Sequence, residues 1–235
     1  MCALVRYGGG ITQASGSIGG QTHARNRFGN YIRARTKPVN PNSVGQQKIR
    51  VIIADLAEQW SGVLTDGNRA AWAAYAAAVA MTNRLGEVIY LTGFNHFIRS
   101  NSLRAFAGNL GQINQGPATL SLPDTDPTFS VDATSDQTCD ITYDDTMLWC
   151  DEDGAQLSIF AGQPQLATRN FFDGPWKYMC RVLGSSIAAP TSPLEGVATP
   201  WSPQAGQKMW FYARLQRADG RLTNKFYAPA DIFAS

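Results

Sequence analysis

The chain is poor in the residues that most chemistry needs. It has two histidines, His23 and His96, and four cysteines, Cys2, Cys139, Cys150 and Cys180, among 235 residues. No cysteine belongs to a CxxC pair and no histidine lies near one, which argues against zinc. A Ser–His–Asp or Cys–His site needs a histidine beside a nucleophile and an orienting carboxylate. Neither histidine has that setting in the sequence, and no GxSxG elbow or GxxxxGK[ST] phosphate loop occurs. The expectation is a protein that is not an enzyme and holds no cofactor or metal. Long apolar runs are missing as well. The longest, Ala70 to Met81, is mostly alanine and far short of a membrane span. Met1 to Val5 is too short for the apolar core of a signal peptide before Arg6 intervenes. A soluble product of the cytoplasm without a membrane partner is expected. In that compartment a Cys139–Cys180 disulfide is disfavoured. Cys139, in phase with Ile141 and Tyr143, and Cys180, in phase with Val182, read as small buried apolar residues.

The other absence is acidic charge. Residues 1–54 carry eight Lys or Arg and no Asp or Glu. Residues 55–110 are neutral and residues 111–235 carry −6, so a net charge of +2 conceals a dipolar chain. A Gly- and Asn-rich stretch with so much like charge cannot build its own core. Such a chain suits head-to-tail contact, a basic arm lying on an acidic neighbour. Nucleic acid is a less favoured partner, because the acidic half is repelled by phosphate.

Hydrophobic periodicity divides the rest. Residues 1–41 read as an extended basic arm. Within it, Ile18 to Pro38 form a β-ribbon that turns near Arg27-Phe28-Gly29-Asn30. Arg25, Arg27, Arg33 and Arg35 recur at period two, which predicts one shared face. The glycines between Gly16 and Gly20 are expected to let the arm pass close to another backbone. Residues 42–110 read as a small three-helix unit. Ser43 with Gln46 caps the first helix, whose inner face is Ile49, Ile52, Ile53, Leu56 and Trp60. Thr65-Asp66-Gly67 opens the second, with Trp72, Tyr75, Ala76 and Val79 inward. A short strand at Val88 to Leu91 precedes a third helix capped by Thr92, with Phe94, Phe97 and Ile98 inward, ending near Gly108. Residues 111–127, with two glycines and three prolines, read as a linker. Residues 128–235 alternate as about seven short strands, which predicts a β-sandwich of immunoglobulin or fibronectin type III kind. Trp176, Tyr178, Cys180 and Val182 are expected on the inner face of one long strand. The fold class expected is therefore α+β.

Two further groups invite a ligand. Asp144, Asp145, Asp151, Glu152 and Asp153 are acidic enough for calcium, but their spacing is not that of an EF-hand loop. Trp149, Trp176, Trp201 and Trp210 all fall in the strand-rich half, where exposed coplanar indoles would stack on sugars. Core or subunit-interface positions are the favoured reading for them.

Several runs carry a family likeness. They are Gly19-Gly20 with Arg25-Asn26-Arg27-Phe28-Gly29-Asn30-Tyr31-Ile32-Arg33 and Pro38-Val39-Asn40-Pro41, then Trp60 with Leu64-Thr65, Arg69-Ala70-Ala71-Trp72 and Tyr75-Ala76, and then Leu91-Thr92-Gly93-Phe94-Asn95 with Phe97-Ile98-Arg99-Ser100-Asn101. Together they resemble poorly characterised structural proteins of tailed bacteriophages and prophage-like regions, over most of the chain. The resemblance implies a virion component, made in the host cytoplasm, and no activity. A capsid decoration or cement protein is the first expectation, and a tail, neck or fibre component the second. Partners would be other copies of the chain and the major capsid or other virion proteins. Arg25, Arg27, Arg33 and Arg35 are expected to make the polar contacts to a neighbouring subunit, and Phe28 and Tyr31 the apolar ones.

Overall fold

The computed structural model describes residues 2–36, 39–83, 85–108, 111–134 and 137–233; Lys37 and Pro38, at the expected end of the ribbon, and Leu110, at the expected end of the helical unit, lie outside them. The chain is mixed α+β, with three helices and several antiparallel sheets among the described residues.

Strands β1 (Cys2–Val5), β2 (Gly16–Ile18), β3 (Gln21–Asn26) and β4 (Gly29–Ala34) make the first sheet, in the order β1-β4-β3-β2. Asn26 pairs with Gly29, so Arg27 and Phe28 are the turn. Gly19 and Gly20 close the β2–β3 hairpin with φ of +54° and +79°, and a Cβ on either would meet nothing within 4 Å. Within the chain these two glycines supply positive φ, the requirement of a tight hairpin turn, rather than close passage of a backbone.

Helix α1 (Val44–Gly62) and helix α2 (Asp66–Ala78) are followed by a hairpin of β5 (Ala80–Thr82) and β6 (Val88–Tyr90), then by α3 (Gly93–Ala107). Each helix starts where a hydroxyl accepts from a free backbone N–H. Ser43 Oγ accepts from Gln46 at 3.4 Å, Thr65 Oγ1 from Asn68 at 3.2 Å and Thr92 Oγ1 from Asn95 at 3.1 Å. Gly108 ends α3 with φ +128°. Leu56, Leu64, Trp72, Tyr75, Val79 and Phe97 form one apolar cluster, with Trp60, Ile52 and Ile98 against it. The expected inner face of α1 is buried only in part. Leu56 is enclosed, but Ile49 and Ile53 stay 37% and 43% exposed, because α1 rests chiefly on one neighbour, α3.

The remaining strands are β7 (Ser130–Ala133), β8 (Thr138–Thr142), β9 (Gln156–Gly162), β10 (Gln165–Leu166), β11 (Trp176–Leu183), β12 (Leu194–Ala198), β13 (Gln207–Met209), β14 (Phe211–Gln216), β15 (Phe226–Tyr227) and β16 (Asp231–Ile232). They form sheets ordered β11-β9-β14-β15, β12-β8-β7 and β10-β13-β16. Val131, Cys139, Ile141, Trp149, Leu157, Ile159, Phe211, Ala213 and Leu215 share a second apolar cluster. Cys139, Cys150 and Cys180 are free thiols.

One inward set differs from expectation. The register of β11 against β9 shifts between Tyr178 and Cys180. Cys180 and Val182 pair with Ile159 and Leu157 on the core face, whereas Trp176 and Tyr178 pair with Gly162 and Phe160 on the other face. A bulge adds one residue to one strand and so moves everything beyond it to the opposite side of the sheet.

Helix α3 lies on that opposite face and joins the two apolar clusters. Ser100 Oγ donates to the Gly220 carbonyl at 2.6 Å, and Gln216 Nε2 donates to the Ser100 carbonyl at 3.0 Å. Arg104 Nη1 donates to the Gly154 carbonyl at 2.7 Å. Residues 111–127 carry no helix or strand, yet they are fixed to the helices. Asn101 exchanges hydrogen bonds with Ile113, and Trp72 Nε1 donates to the Asn114 carbonyl at 2.9 Å.

Candidate assembly interface

The N-terminal sheet buries almost nothing. None of the residues of β2, β3 and β4 is fully enclosed, and none contributes to either apolar cluster. A sheet normally covers at least one face to be stable. Here cover is partial: Tyr7 stacks on His23 in mid-strand, and the tip lies near the β5–β6 hairpin. Arg25, Arg27, Phe28 and Gly29 face Val88, Ile89 and Tyr90 across an open groove of about 390 Å³. Beside it, Arg6 pairs with Glu87 at 2.5 Å.

The register separates the predicted arginines. Arg25 pairs with Asn30, His23 with Ile32 and Thr22 with Arg33. Directly opposed residues share a face, so Arg25 lies with His23, Asn30 and Ile32. Arg33 lies on the other face, with Thr22, Tyr31 and, from β1, Leu4. Arg35 follows in phase with Arg33, and its backbone N–H donates to the Gly20 carbonyl at 2.8 Å. The expected single arginine face is therefore two faces. A two-residue turn reverses the parity of strand positions, so period two does not carry across it.

Arg25, Arg27, Arg33 and Arg35 are all exposed, and Phe28 and Tyr31 are half-buried. Arg25 donates to the Gln13 side chain at 3.4 Å. Among the described residues none of the four pairs with a carboxylate. Four exposed guanidinium groups without counter-charges are available to a partner's carboxylates or phosphates, which their planar forks match.

Four of the five acidic candidates are engaged within the fold. Asp144 holds Thr146 by backbone and hydroxyl, Asp153 holds Ser186 in the same way, Asp145 accepts from the Ser192 N–H, and Glu152 pairs with Arg217. Those bonds to Thr146 and Ser186 keep the Asp144 and Asp153 carboxyls below the usual carboxylate range. Among the described residues no group of three or more His, Cys, Asp or Glu is placed to hold a metal ion. A hydrogen bond of 2.8 Å joins the Tyr7 hydroxyl and His23 Nδ1. His96 is fully enclosed against Tyr75, with ring centroids 5.0 Å apart, and burial followed by the Arg99 charge pushes its pKa down to about 4. Neither ring nitrogen of His96 has a partner among the described residues.

Of the tryptophans, Trp149 is buried, and Trp176, Trp201 and Trp210 are half-buried. Phe172 stacks on Trp210 at 15° but meets Trp176 at 80°, so those two indoles are steeply inclined to each other. Lys177 covers the Trp201 ring at 3.6 Å.

The sequence reading missed the buried polar row of α3, namely His96, Ser100, Asn101 and Arg104. The density of polar residues on that helix was the available signal. No helix among the described residues is long and apolar enough to cross a membrane. No protein-family model matches the chain, and no curated protein or solved structure is significantly similar to it.

Proposed function

We propose that the chain is a structural protein of a tailed-bacteriophage virion, a capsid decoration or cement protein by first choice, assembled through its basic N-terminal segment. It acts in the virion after synthesis in the host cytoplasm, and it is not an enzyme. The observation that carries the reading is a four-stranded sheet that adds no residue to either apolar cluster and bears Arg25, Arg27, Arg33 and Arg35, none of them paired with a carboxylate among the described residues. Such an element gains stability from what it lies on. Its partners are further copies of the chain and the major capsid protein or another virion protein. The strand-rich half, taken as an immunoglobulin- or fibronectin-like sandwich, projects as the displayed domain. Many copies with modest contacts each give a stable lattice.

The test is to locate the chain in intact particles by cryo-electron microscopy, together with incorporation of a variant lacking residues 1–41. Copies spread over the shell, and loss of incorporation on truncation, are the expected results. Copies confined to a ring or spike at one vertex or on the tail would reassign the protein to the tail, neck or fibre class. Unchanged incorporation would remove the N-terminal segment from the mechanism. A carbohydrate- or receptor-binding module is the reading from another class. The half-buried Trp176, Trp201 and Trp210 leave room for it, but the inclined rings and the lysine over Trp201 give no flat platform.

A further inference from the structure

The sheet β12-β8-β7 has an apolar inner face and an acidic outer one. Asp132 of β7 is directly opposite Asp140 of β8. Glu195 sits beside them, where the register of β12 shifts between Leu194 and Val197, and the adjacent Gly196 N–H donates to Asp140 Oδ1 at 2.8 Å. Like charges directly opposed across a ladder are unfavourable. The Gly196 N–H is a neutral donor and brings no counter-charge: among the described residues no Lys or Arg pairs with Asp132, Asp140 or Glu195. In the layer beneath, the Cys139 thiol is pushed up to about 12, by burial first and then by Asp231, Asp140, Cys180 and Asp132. No metal-holding group stands there among the described residues.

At the other end of the chain, Arg33 and Arg35 have the complementary defect. They are exposed on one face of the N-terminal sheet beside the half-buried Tyr31 and Leu4, and among the described residues neither pairs with a carboxylate. Positions two apart on a strand are about 6.7 Å apart, and opposed residues on neighbouring strands about 5 Å. Two guanidinium groups can therefore face the Asp132–Asp140 pair together. Within one chain the N-terminal sheet lies against the β5–β6 hairpin, and no ion pair among the described residues joins it to the acidic sheet.

We propose that the Arg33–Arg35 face of one copy seats on the Asp132–Asp140–Glu195 face of a second copy. This deepens the assembly reading above and rests on it, naming the partner surface as the chain's own acidic sheet. The two surfaces differ, so the contact is heterologous and each copy carries one of each. It therefore propagates head to tail into rings or rows. Tyr31 and Leu4 supply the apolar contact, and the bonds between guanidinium and carboxylate fix the register.

Two variants of the full chain test this by sedimentation velocity at low and high salt, R33A/R35A and the near-isosteric D132N/D140N/E195Q. The wild type is expected to form oligomers that dissolve as salt rises. Each variant alone should associate at least about tenfold more weakly, the effect of losing one charge-assisted contact. An equimolar mixture should form a one-to-one heterodimer and stop, because only one intact arginine face and one intact acidic face remain. A wild type that stays monomeric at low salt overturns the proposal. So does a D132N/D140N/E195Q variant that associates like the wild type. If R33A/R35A is excluded from particles while the acidic variant enters normally, the N-terminal segment grips a different virion protein. The assembly reading then stands and this pairing falls.

Discussion

Arg99 of α3 holds two consecutive carbonyls of the neighbouring strand-rich unit, donating from Nη1 to Leu222 at 2.6 Å and from Nη2 to Thr223 at 2.5 Å. Burial, and then the Arg214 charge, lower its pKa to about 10, so it stays charged near neutrality. Removing it leaves two carbonyls without these partners. Arg99→Ala should lower stability by about 3 kcal/mol, since bonds to a charged donor are worth about 1.5–3 kcal/mol each and not fully additive. Urea unfolding of the two variants checks this. Arg99→Lys should recover only part of the loss, because an ammonium lacks the planar fork.

Gly116 passes so close to α2 that a Cβ would lie 2.4 Å from the backbone nitrogen of Trp72. Gly116→Ala must push two backbones apart and should cost more than about 2 kcal/mol. Gly45, in the exposed first turn of α1, has open space instead. Gly45→Ala should be neutral or stabilising by up to about 1 kcal/mol. Equal midpoint shifts for the two would contradict this account of close packing.

His96 has its pKa depressed from 6.5 to about 4 in the folded chain. The unfolded chain therefore binds the extra proton first as pH falls. The stability linked to this group is fully present above pH 6.5 and is lost progressively towards pH 4. The loss should be on the order of 3 kcal/mol. His96→Phe should flatten the stability profile over that window, and an unchanged slope would assign the acid sensitivity to other groups.

Removing residues 1–41 should leave a folded monomer, because the N-terminal sheet gives no residue to either apolar cluster. Among the ties lost are the largely exposed Arg6–Glu87 pair and the bond from Arg50 to the Asn40 side chain, and exposed pairs are worth less than about 1 kcal/mol. The midpoint of thermal unfolding should move by no more than about 4 °C. A collapse of cooperative unfolding would make the segment part of the core structure instead.

Local features of this chain are legible in its sequence because their physics is local. A hydroxyl ahead of an apolar run caps a helix wherever that helix later packs, and Ser43, Thr65 and Thr92 do so. Trp72, Tyr75, Val79 and Phe97 stand inward at helical spacing. Leu157, Ile159, Ala213 and Leu215 do the same at strand spacing. The excess of positive charge in the first 54 residues is likewise visible without a structure.

Tertiary structure decided what depends on pairing between distant residues. Turn length and register placed Arg25 and Arg33 on opposite faces, since each extra or missing residue in a ladder exchanges its sides. The same rule, acting through the bulge after Tyr178, turned Trp176 away from the core. Only the fold set Asp132 against Asp140, and only docking between elements far apart in the chain gave the polar residues of α3 their partners. Periodicity states which residues share a side of one element, but the neighbour that side meets is fixed by the whole chain.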